Sequence, residues 1–128
     1  WTGASWTART KLLASDATTG YGFGNAISID GFFMVIGSRL NSGNGAGSGA
    51  AYIFELDSGS WTERQKLNDA PAGSNFGVSV LVQGLRIVIG ADQYNTVLVD
   101  VGAVYIYEFD GDLSQWTTSG PLVPADGA

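Results

Sequence analysis

The sequence has 128 residues, a formal net charge of −6 at pH 7 and neither cysteine nor histidine. The acidic balance argues against a nucleic-acid partner, since phosphate binding needs a basic patch, and no apolar run approaches the roughly 20 residues that span a bilayer. Without cysteine and histidine, disulfides, thiolate zinc sites and Ser-His-Asp triads are excluded.

A sequence repeat organises the whole chain. Trp6, Trp61 and Trp116 fall 55 residues apart (61 − 6 and 116 − 61). Between them the phrases Phe-Gly, Val-Ile-Gly and Gly-Ala-x-Tyr each occur twice, at an offset of 53 residues (76 − 23, 88 − 35 and 102 − 49). A period of this length indicates stacked repeats, in which each unit buries its apolar faces against its neighbours.

Taken in chain order, the apolar and alternating runs predict strands. Residues 6–13 share Trp-Thr and Lys-Leu with residues 61–67, so they predict the outer strand of a preceding unit. Each complete repeat then contains four runs rich in β-branched and aromatic residues, the first two joined by short turns at Asp30-Gly31 and Gln83-Gly84. The eight strands are predicted over 23–29, 32–38, 49–56, 61–67, 76–82, 85–91, 102–109 and 115–122.

The predicted fold class is all-β, with two four-stranded antiparallel propeller-type blades and an extra N-terminal outer strand. The chain divides into residues 1–13 for the outer strand of a preceding blade, 14–67 for blade 1, 68–122 for blade 2 and 123–128 for a tail or the start of a further repeat. Because strand direction alternates within a blade, the long loops gather on one side, the long-loop face. These loops are 14–22, 39–48, 68–75 and 92–101.

The order of these phrases resembles the FG-GAP repeat of integrin-α-type β-propellers. Phe23-Gly24 and Phe76-Gly77 stand at its "FG", and Ile36-Gly37-Ser38 and Ile89-Gly90-Ala91 at its "GAP" without the proline. The resemblance implies blades of a propeller, an extracellular or cell-surface location and a role in adhesion or recognition. Repetition predicts a structural role, in the core or between blades, for Trp6, Phe23, Gly24, Gly37, Tyr52, Trp61, Phe76, Gly77, Gly90, Tyr105 and Trp116.

Calcium is the one cofactor to consider. Many blades of that family carry an Asp-rich calcium loop in the first hairpin, but Ca²⁺ takes six to eight oxygens and a two-residue turn with one Asp cannot supply them. Asp92, Asn95 and Asp100 share one long loop and could place oxygens around Ca²⁺. Otherwise we expect no cofactor.

The long-loop face also holds the candidates for ligand contact. Tyr21 and Tyr94 lie in its loops and do not repeat, and Asn44, Asp92 and Asn95 lie in loops of the same face. They predict a site for a protein or glycan ligand. The glycine-rich run 43–49 predicts a flexible loop, since a phosphate loop needs a Gly-Lys-Ser/Thr ending and a following helix.

Catalysis has little support in the sequence. The nearest acid pair, Asp110 and Asp112, flanks Gly111 in a hairpin, and Asp-Gly is turn chemistry. We therefore expect a protein that is not an enzyme.

Two blades leave two outward apolar faces, whereas a closed propeller typically has about four to eight blades. Large apolar patches do not stay in water. We therefore expect the chain to associate with itself, as a ring or a filament, or with further blades of the same parent chain. The first hypothesis is an extracellular structural or assembly protein. The alternative is an adhesion or carbohydrate- or protein-binding module that uses the long-loop face.

Overall fold

The computed structural model describes residue 3, residues 5–96 and residues 98–125. Within these residues the chain forms two four-stranded antiparallel sheets and no α-helix, which confirms the predicted blades. Both sheets are meanders, with the orders β1-β2-β3-β4 in blade 1 and β5-β6-β7-β8 in blade 2. The strands are β1 Ile27–Asp30, β2 Phe33–Ser38, β3 Ala50–Asp57, β4 Ser60–Leu67, β5 Ser79–Gln83, β6 Arg86–Ala91, β7 Ala103–Asp110 and β8 Gln115–Leu122.

The Phe-Gly phrases lie just before the first strand of each blade rather than inside it. Gly24 and Gly77 have φ angles of 97° and 93°, outside the β region. The backbone N–H of Gly24 donates to the carbonyl of Gly37 at 2.9 Å, and that of Gly77 to the carbonyl of Gly90 at 3.0 Å. The first strands therefore begin four and three residues later than predicted (27 − 23 and 79 − 76).

The extra outer strand predicted over residues 6–13 is not formed, so this part of the prediction is wrong. A fourth strand pairs with the third strand of its own blade, as β4 does with β3, and no third strand precedes this segment in the described part of the chain. Instead, Leu12 and Ala14 pack against the buried cluster of blade 1. Trp6 is 82% exposed and is not a core residue, whereas Trp116 is 4% exposed.

The tail predicted over 123–128 lies only partly within the described residues. Val123 packs against the main core, and Pro124 and Ala125 are exposed. Residues 126–128 lie outside the described residues, as do residues 1, 2 and 4 of the N-terminal segment.

The main core lies between the two blades. Each blade has two faces, because alternate residues of a strand point to opposite sides of the sheet. We call the face on the N-terminal side of a blade its proximal face and the face on the C-terminal side its distal face. The distal face of blade 1 packs on the proximal face of blade 2, and the central residues of both are at most 2% exposed. They are Val35, Ala51 and Ile53 on blade 1 and Ile89, Tyr105 and Tyr107 on blade 2.

Glycines let the two blades approach backbone to backbone. A Cβ on Gly77 would lie 2.2 Å from the carbonyl oxygen of Ala50, and one on Gly37 would lie 2.1 Å from that of Gly77. Gly49 forms a parallel bridge with Phe76, and a Cβ on Gly49 would lie 2.0 Å from the Phe76 carbonyl oxygen. The Phe-Gly turn of blade 2 is therefore seated between the end of β2 and the start of β3, where a side chain has no room.

Four polar side chains of blade 1 hydrogen-bond to the backbone of blade 2, and we call them the clamps. Asn25 Nδ2 donates to the carbonyl oxygens of Gly77 and Val78, at 2.9 and 3.3 Å. Because each clamp meets particular backbone groups of blade 2, the set fixes the register between the blades. The other bonds are Ser28 Oγ accepting from the Val82 N–H (3.0 Å), Asp30 Oδ2 accepting from the Gly84 N–H (2.7 Å), and the Gln65 amide donating to the Trp116 carbonyl (2.9 Å) and accepting from its N–H (2.8 Å).

Replacing Gly77 with Ala should destabilise the protein more than replacing Gly24 with Ala. Both positions have a similar positive φ, but only a Cβ on residue 77 meets a neighbour; nothing lies within 4 Å of one on residue 24. We expect Gly77→Ala to lower the free energy of unfolding by about 1–3 kcal/mol more than Gly24→Ala, the typical cost of overpacking. Urea unfolding of the two variants measures the difference in the free energy of unfolding. Equal losses of stability in both variants would contradict the close approach of the backbones as the cause of the larger effect at Gly77.

Candidate functional site

The long-loop face forms where the meander order places it, at the edge that holds the β2–β3 and β6–β7 loops. The glycine-rich run 43–49 is packed there, rather than standing free as a flexible loop. Its carbonyl groups accept hydrogen bonds from the segment that leads into blade 2, so the loop is part of the contact between the blades. The three bonds are Gly73 N–H to Ala46 O (2.9 Å), Asn75 N–H to Gly47 O (3.1 Å) and Phe76 N–H to Ser48 O (3.0 Å).

The ligand candidates of this face hold its loops together. Tyr94 is half-buried and packs against the main core. Asn44 Nδ2 donates to the carbonyl of Ala70 at 2.7 Å. The carbonyl of Tyr21, also half-buried, accepts from the Ser38 hydroxyl at 2.9 Å. A role in ligand binding for these residues stays a prediction.

The calcium candidates lie in the β6–β7 loop, and all three are exposed. Asp92 Oδ1 accepts from Asn75 Nδ2 at 3.3 Å, and Asn95 Oδ1 accepts from the backbone N–H of Asp100 at 2.5 Å. Two of the three side chains are thus already engaged within the fold. Among the described residues, no three Asp, Glu, His or Cys side chains lie together as a metal site. A calcium ion at Asp92, Asn95 and Asp100 stays a prediction.

The first hairpin of blade 1, where the FG-GAP resemblance implies calcium, does not fit the ion. The carboxylate of Asp30 is a clamp that accepts from the Gly84 N–H. The turn after it consists of Gly31 and Phe32. One engaged carboxylate in so short a turn cannot provide a cage of six or more oxygens.

A polar cluster, the Asp16 latch, ties the segment before β1 to the sheet of blade 1. The Tyr52 hydroxyl donates to Asp16 Oδ1 at 2.5 Å and accepts from Asn41 Nδ2 at 2.9 Å. Lys66 Nζ lies 2.6 Å from Asp16 Oδ2. Tyr52 and Asn41 are both 0% exposed. Among the described residues, no buried side-chain nitrogen or oxygen lacks a hydrogen-bond partner, those of the latch included.

The latch shifts the ionisation of its members. Burial acts to raise the pKa of Asp16, but the hydrogen bonds from Lys66 and Tyr52 outweigh it and leave that pKa below its usual value. Burial and the neighbouring Asp16 carboxylate raise the pKa of the Tyr52 hydroxyl. Asp16 is therefore held as a carboxylate and Tyr52 as a neutral donor, which is an arrangement that fixes structure.

Blade 2 carries a second latch without the cation. Asp69 follows Asp16 by 53 residues and accepts from the Tyr107 hydroxyl. Lys66 is replaced at the corresponding position by Pro121 (66 + 55). Burial raises the pKa of Tyr107 and, with the charges of Tyr94 and Asp69, raises the pKa of Tyr105 to about 12.

The distal face of blade 2 differs in exposure from the distal face of blade 1. Val88, Val104 and Ile106 correspond to Val35, Ala51 and Ile53 of blade 1 at the offset of 53. The blade 1 residues are 0% exposed, whereas Val104 is 39% exposed and the other two are only partly buried. Farther along the face, Leu81 is 52% and Leu122 is 58% exposed. Blade 2 therefore presents to solvent an apolar surface that blade 1 buries.

A cavity of about 700 Å³, the blade 2 cavity, opens at one end of this face. Its walls come from the start of β5, the end of β6, the start of β7 and the end of β8. They include Val78, Ser79, Gly90, Gly102, Val104 and Leu122. Most of the lining is apolar, so the cavity suits an apolar group or a close backbone rather than a charged ligand.

Sequence reasoning named Tyr52 and Gly90 as structural but missed the clamps, the Asp16 latch and the blade 2 cavity. A signal for the clamps lies in the repeat itself. At the offset of 53, Asn25 becomes Val78 and Ser28 becomes Leu81. Polar residues replaced by apolar ones at equivalent positions mark two surfaces with different neighbours.

Comparison with protein families gives one result. The sequence model of the FG-GAP repeat matches residues 6–54 and residues 61–107, together three quarters of the chain. No curated protein matched the sequence. No helix long and apolar enough to cross a membrane occurs in the described part of the chain.

Replacing Asp16 with Asn should remove a stabilising contribution that depends on pH. The pKa of Asp16 in the folded state lies below that in the unfolded chain, so the ion pair stabilises the fold above about pH 4, and this stability is lost as the pH falls through the lowered pKa. We expect Asp16→Asn to have a lower thermal midpoint than the parent at about pH 7, and the two midpoints to converge below about pH 3.

Asp112→Asn is the matched control, because it makes the same change of charge in the β7–β8 turn, away from the latch. We expect it to leave the midpoint nearly unchanged at neutral pH. If the difference in thermal midpoint between Asp16→Asn and the parent stayed constant across the acid range, the ion pair could not be its origin.

Proposed function

Because the chain belongs to the FG-GAP repeat family, we propose that it is a non-enzymatic extracellular building unit that associates with further copies of itself. Repeats of this family form propeller blades, often in extracellular proteins. The contact between copies is made by the distal face of blade 2. A contact between two different faces repeats from copy to copy and gives a ring if it closes, or a filament if it does not.

The observation that carries the proposal is the paired exposure of equivalent positions. Leu67 of blade 1 is 1% exposed, and its equivalent Leu122 is 58% exposed. Ala51 is 0% exposed, and its equivalent Val104 is 39% exposed. The residues of blade 1 are covered by a following blade, so the same positions in blade 2 are suited to the same kind of cover. Burying them contributes about 25 cal/mol for each Å² of apolar surface removed from water.

The other end of the chain offers a matching surface. The proximal face of blade 1 carries Ile27 and Ile29, which are 60% and 58% exposed. Their equivalents in blade 2, Val80 and Val82, pack in the main core, and Val82 is only 3% exposed. The two outward faces of one chain are therefore repeats of the two faces that already meet inside it.

The alternative, a ligand-binding module, draws less support from the structure. Its candidate residues on the long-loop face are engaged in holding loops, as the bonds of Asn44 and Asn95 illustrate. The exposed apolar surface lies instead on the flat face of blade 2. Surfaces of that kind suit contact between proteins better than recognition of a polar glycan.

Replacing Val104 with Asp should weaken association. The carboxylate would lie on the apolar face at the wall of the blade 2 cavity, and it would lose its hydration when a second copy covers it. We expect the parent protein to show a mass in solution that rises with concentration from 13.3 kDa, by light scattering after gel filtration. In the variant the dissociation constant should rise by at least about 10-fold, the equivalent of about 1.4 kcal/mol.

Leu113→Asp is the matched control, since Leu113 is 58% exposed but lies in the β7–β8 turn, off the distal face. It should associate like the parent, and circular dichroism should show both variants folded. A parent protein that stayed a monomer at every accessible concentration would overturn the proposal.

A further inference from the structure

Resting on the proposed function, we infer that the blade 2 cavity is a docking site for the Phe23-Gly24 turn of a second copy of this chain. The second copy presents the proximal face of its blade 1 to the distal face of blade 2, so the copies run head to tail. The cavity and the turn are the two halves of one contact that this chain already makes once within itself.

The first half is the cavity. Within the chain, the Phe-Gly turn of blade 2 sits against Gly37 and Gly49, where added Cβ atoms would collide with its backbone. At the offset of 53 these glycines become Gly90 and Gly102, and both line the blade 2 cavity. Blade 2 thus keeps the glycines that make room for a turn. The Ser79 hydroxyl, on a side chain that can rotate, lies 2.3 Å from a Cβ built on Gly90, and nothing lies closer than 3.5 Å to one built on Gly102.

The second half is the turn itself. Gly24 has a φ of 97° and Gly77 one of 93°, so both turns have similar backbone geometry at this residue. The rings of Phe23 and Phe76 each pack edge-on against the equivalent tyrosine of their own blade, with centroids 5.4 and 5.0 Å apart. Gly77 is in close contact with blade 1, whereas nothing lies within 4 Å of a Cβ built on Gly24. The first turn is thus shaped for docking but has no blade in front of it.

The contact between copies lacks the clamps of the contact within the chain. Asn25, Ser28, Asp30 and Gln65 are replaced at equivalent positions of blade 2, which removes most of the polar groups that hold the incoming backbone. The replacements are Val78, Leu81, Gln83 and Gly120. The docked pair is therefore held mainly by apolar burial and close backbone packing. Its affinity is lower than that of a fully clamped pair, so association is reversible and depends on concentration.

Docking also moves the N-terminal segment of the incoming copy. Leu12, Leu67 and Leu122 follow one another at steps of 55 residues, and within the chain Leu67 packs in the core between the blades. In a docked pair, Leu122 of the first copy takes the place that Leu12 of the second copy holds on its own proximal face. Leu12 is half-buried on a segment without strand pairing, so this segment can leave at little cost.

Cross-linking between two single-cysteine variants tests the register. Within the chain, Ser28 Oγ accepts from the backbone N–H of Val82 at 3.0 Å. At the offset of 53, Leu81 is the equivalent of Ser28, and Ile29 is the equivalent of Val82. In a docked pair, Leu81 of the first copy therefore faces Ile29 of the second copy. Leu81→Cys and Ile29→Cys are mixed in equal amounts and treated with a short bismaleimide, at about 0.15 M salt to screen repulsion between the acidic copies. The parent has no cysteine, so every cross-link is assigned to the two introduced cysteines.

The mixture should give a cross-linked dimer that neither variant gives alone, because the two residues lie on opposite outward faces of one chain. Association in light scattering without the mixed cross-link would overturn this docking mode and leave the proposed function standing. Absence of both association and cross-link would overturn the docking mode and the proposed function together. The cavity would then be filled by a blade of the same polypeptide rather than by a second copy.

Restoring a clamp should strengthen the contact. Val78→Asn places at the cavity the side chain that, as Asn25, donates to two carbonyls of the incoming turn. We expect the dissociation constant between copies to fall about fivefold, the effect of one net hydrogen bond. Val99→Asn is the control, since Val99 is 78% exposed and does not line the cavity. No change, or an equal change in both variants, would count against docking in the cavity.

Discussion

The close approach of the Phe-Gly turn of blade 2 to blade 1 is the contact on which the arrangement of the two sheets depends. Backbone packs on backbone at Gly37, Gly49 and Gly77, so no flexible side chain is available there to absorb an error in position. Burial of the apolar faces supplies most of the stabilisation, but it has no direction. The glycine contact and the clamps supply the register, because each allows only one placement of the incoming strand.

The two repeats share a fold and differ in what they present. Blade 1 keeps the glycines and the clamps, and its distal face is buried. Blade 2 keeps the glycines but has Val78 and Leu81 where blade 1 has Asn25 and Ser28. A permanent contact within one chain tolerates a full set of directional bonds. An apolar face with a cavity of about 700 Å³ suits a contact that forms and breaks between molecules.

The latches connect this packing to the loops. Asp16 and Asp69 each accept a buried tyrosine hydroxyl and hold the segment that leads into a Phe-Gly turn. The turn is thus anchored from both sides, by its phenylalanine in the core of its own blade and by the latch before it. Preorganisation of this kind lowers the conformational entropy lost when the turn is seated against a neighbouring blade.

The sequence alone determined the repeat, the eight strands and their meander order, because side-chain alternation and Asp-Gly or Gln-Gly turns are local signals. It placed the β1 and β5 starts early, since a glycine in a positive φ is not visible in an apolar pattern. Tertiary structure decided that residues 6–13 form no strand, that the glycine run 43–49 is packed, and that Asn25 and Asp16 hold other segments. Strand pairing, close packing and buried hydrogen bonds each need a partner distant in sequence, and only the fold brings that partner near.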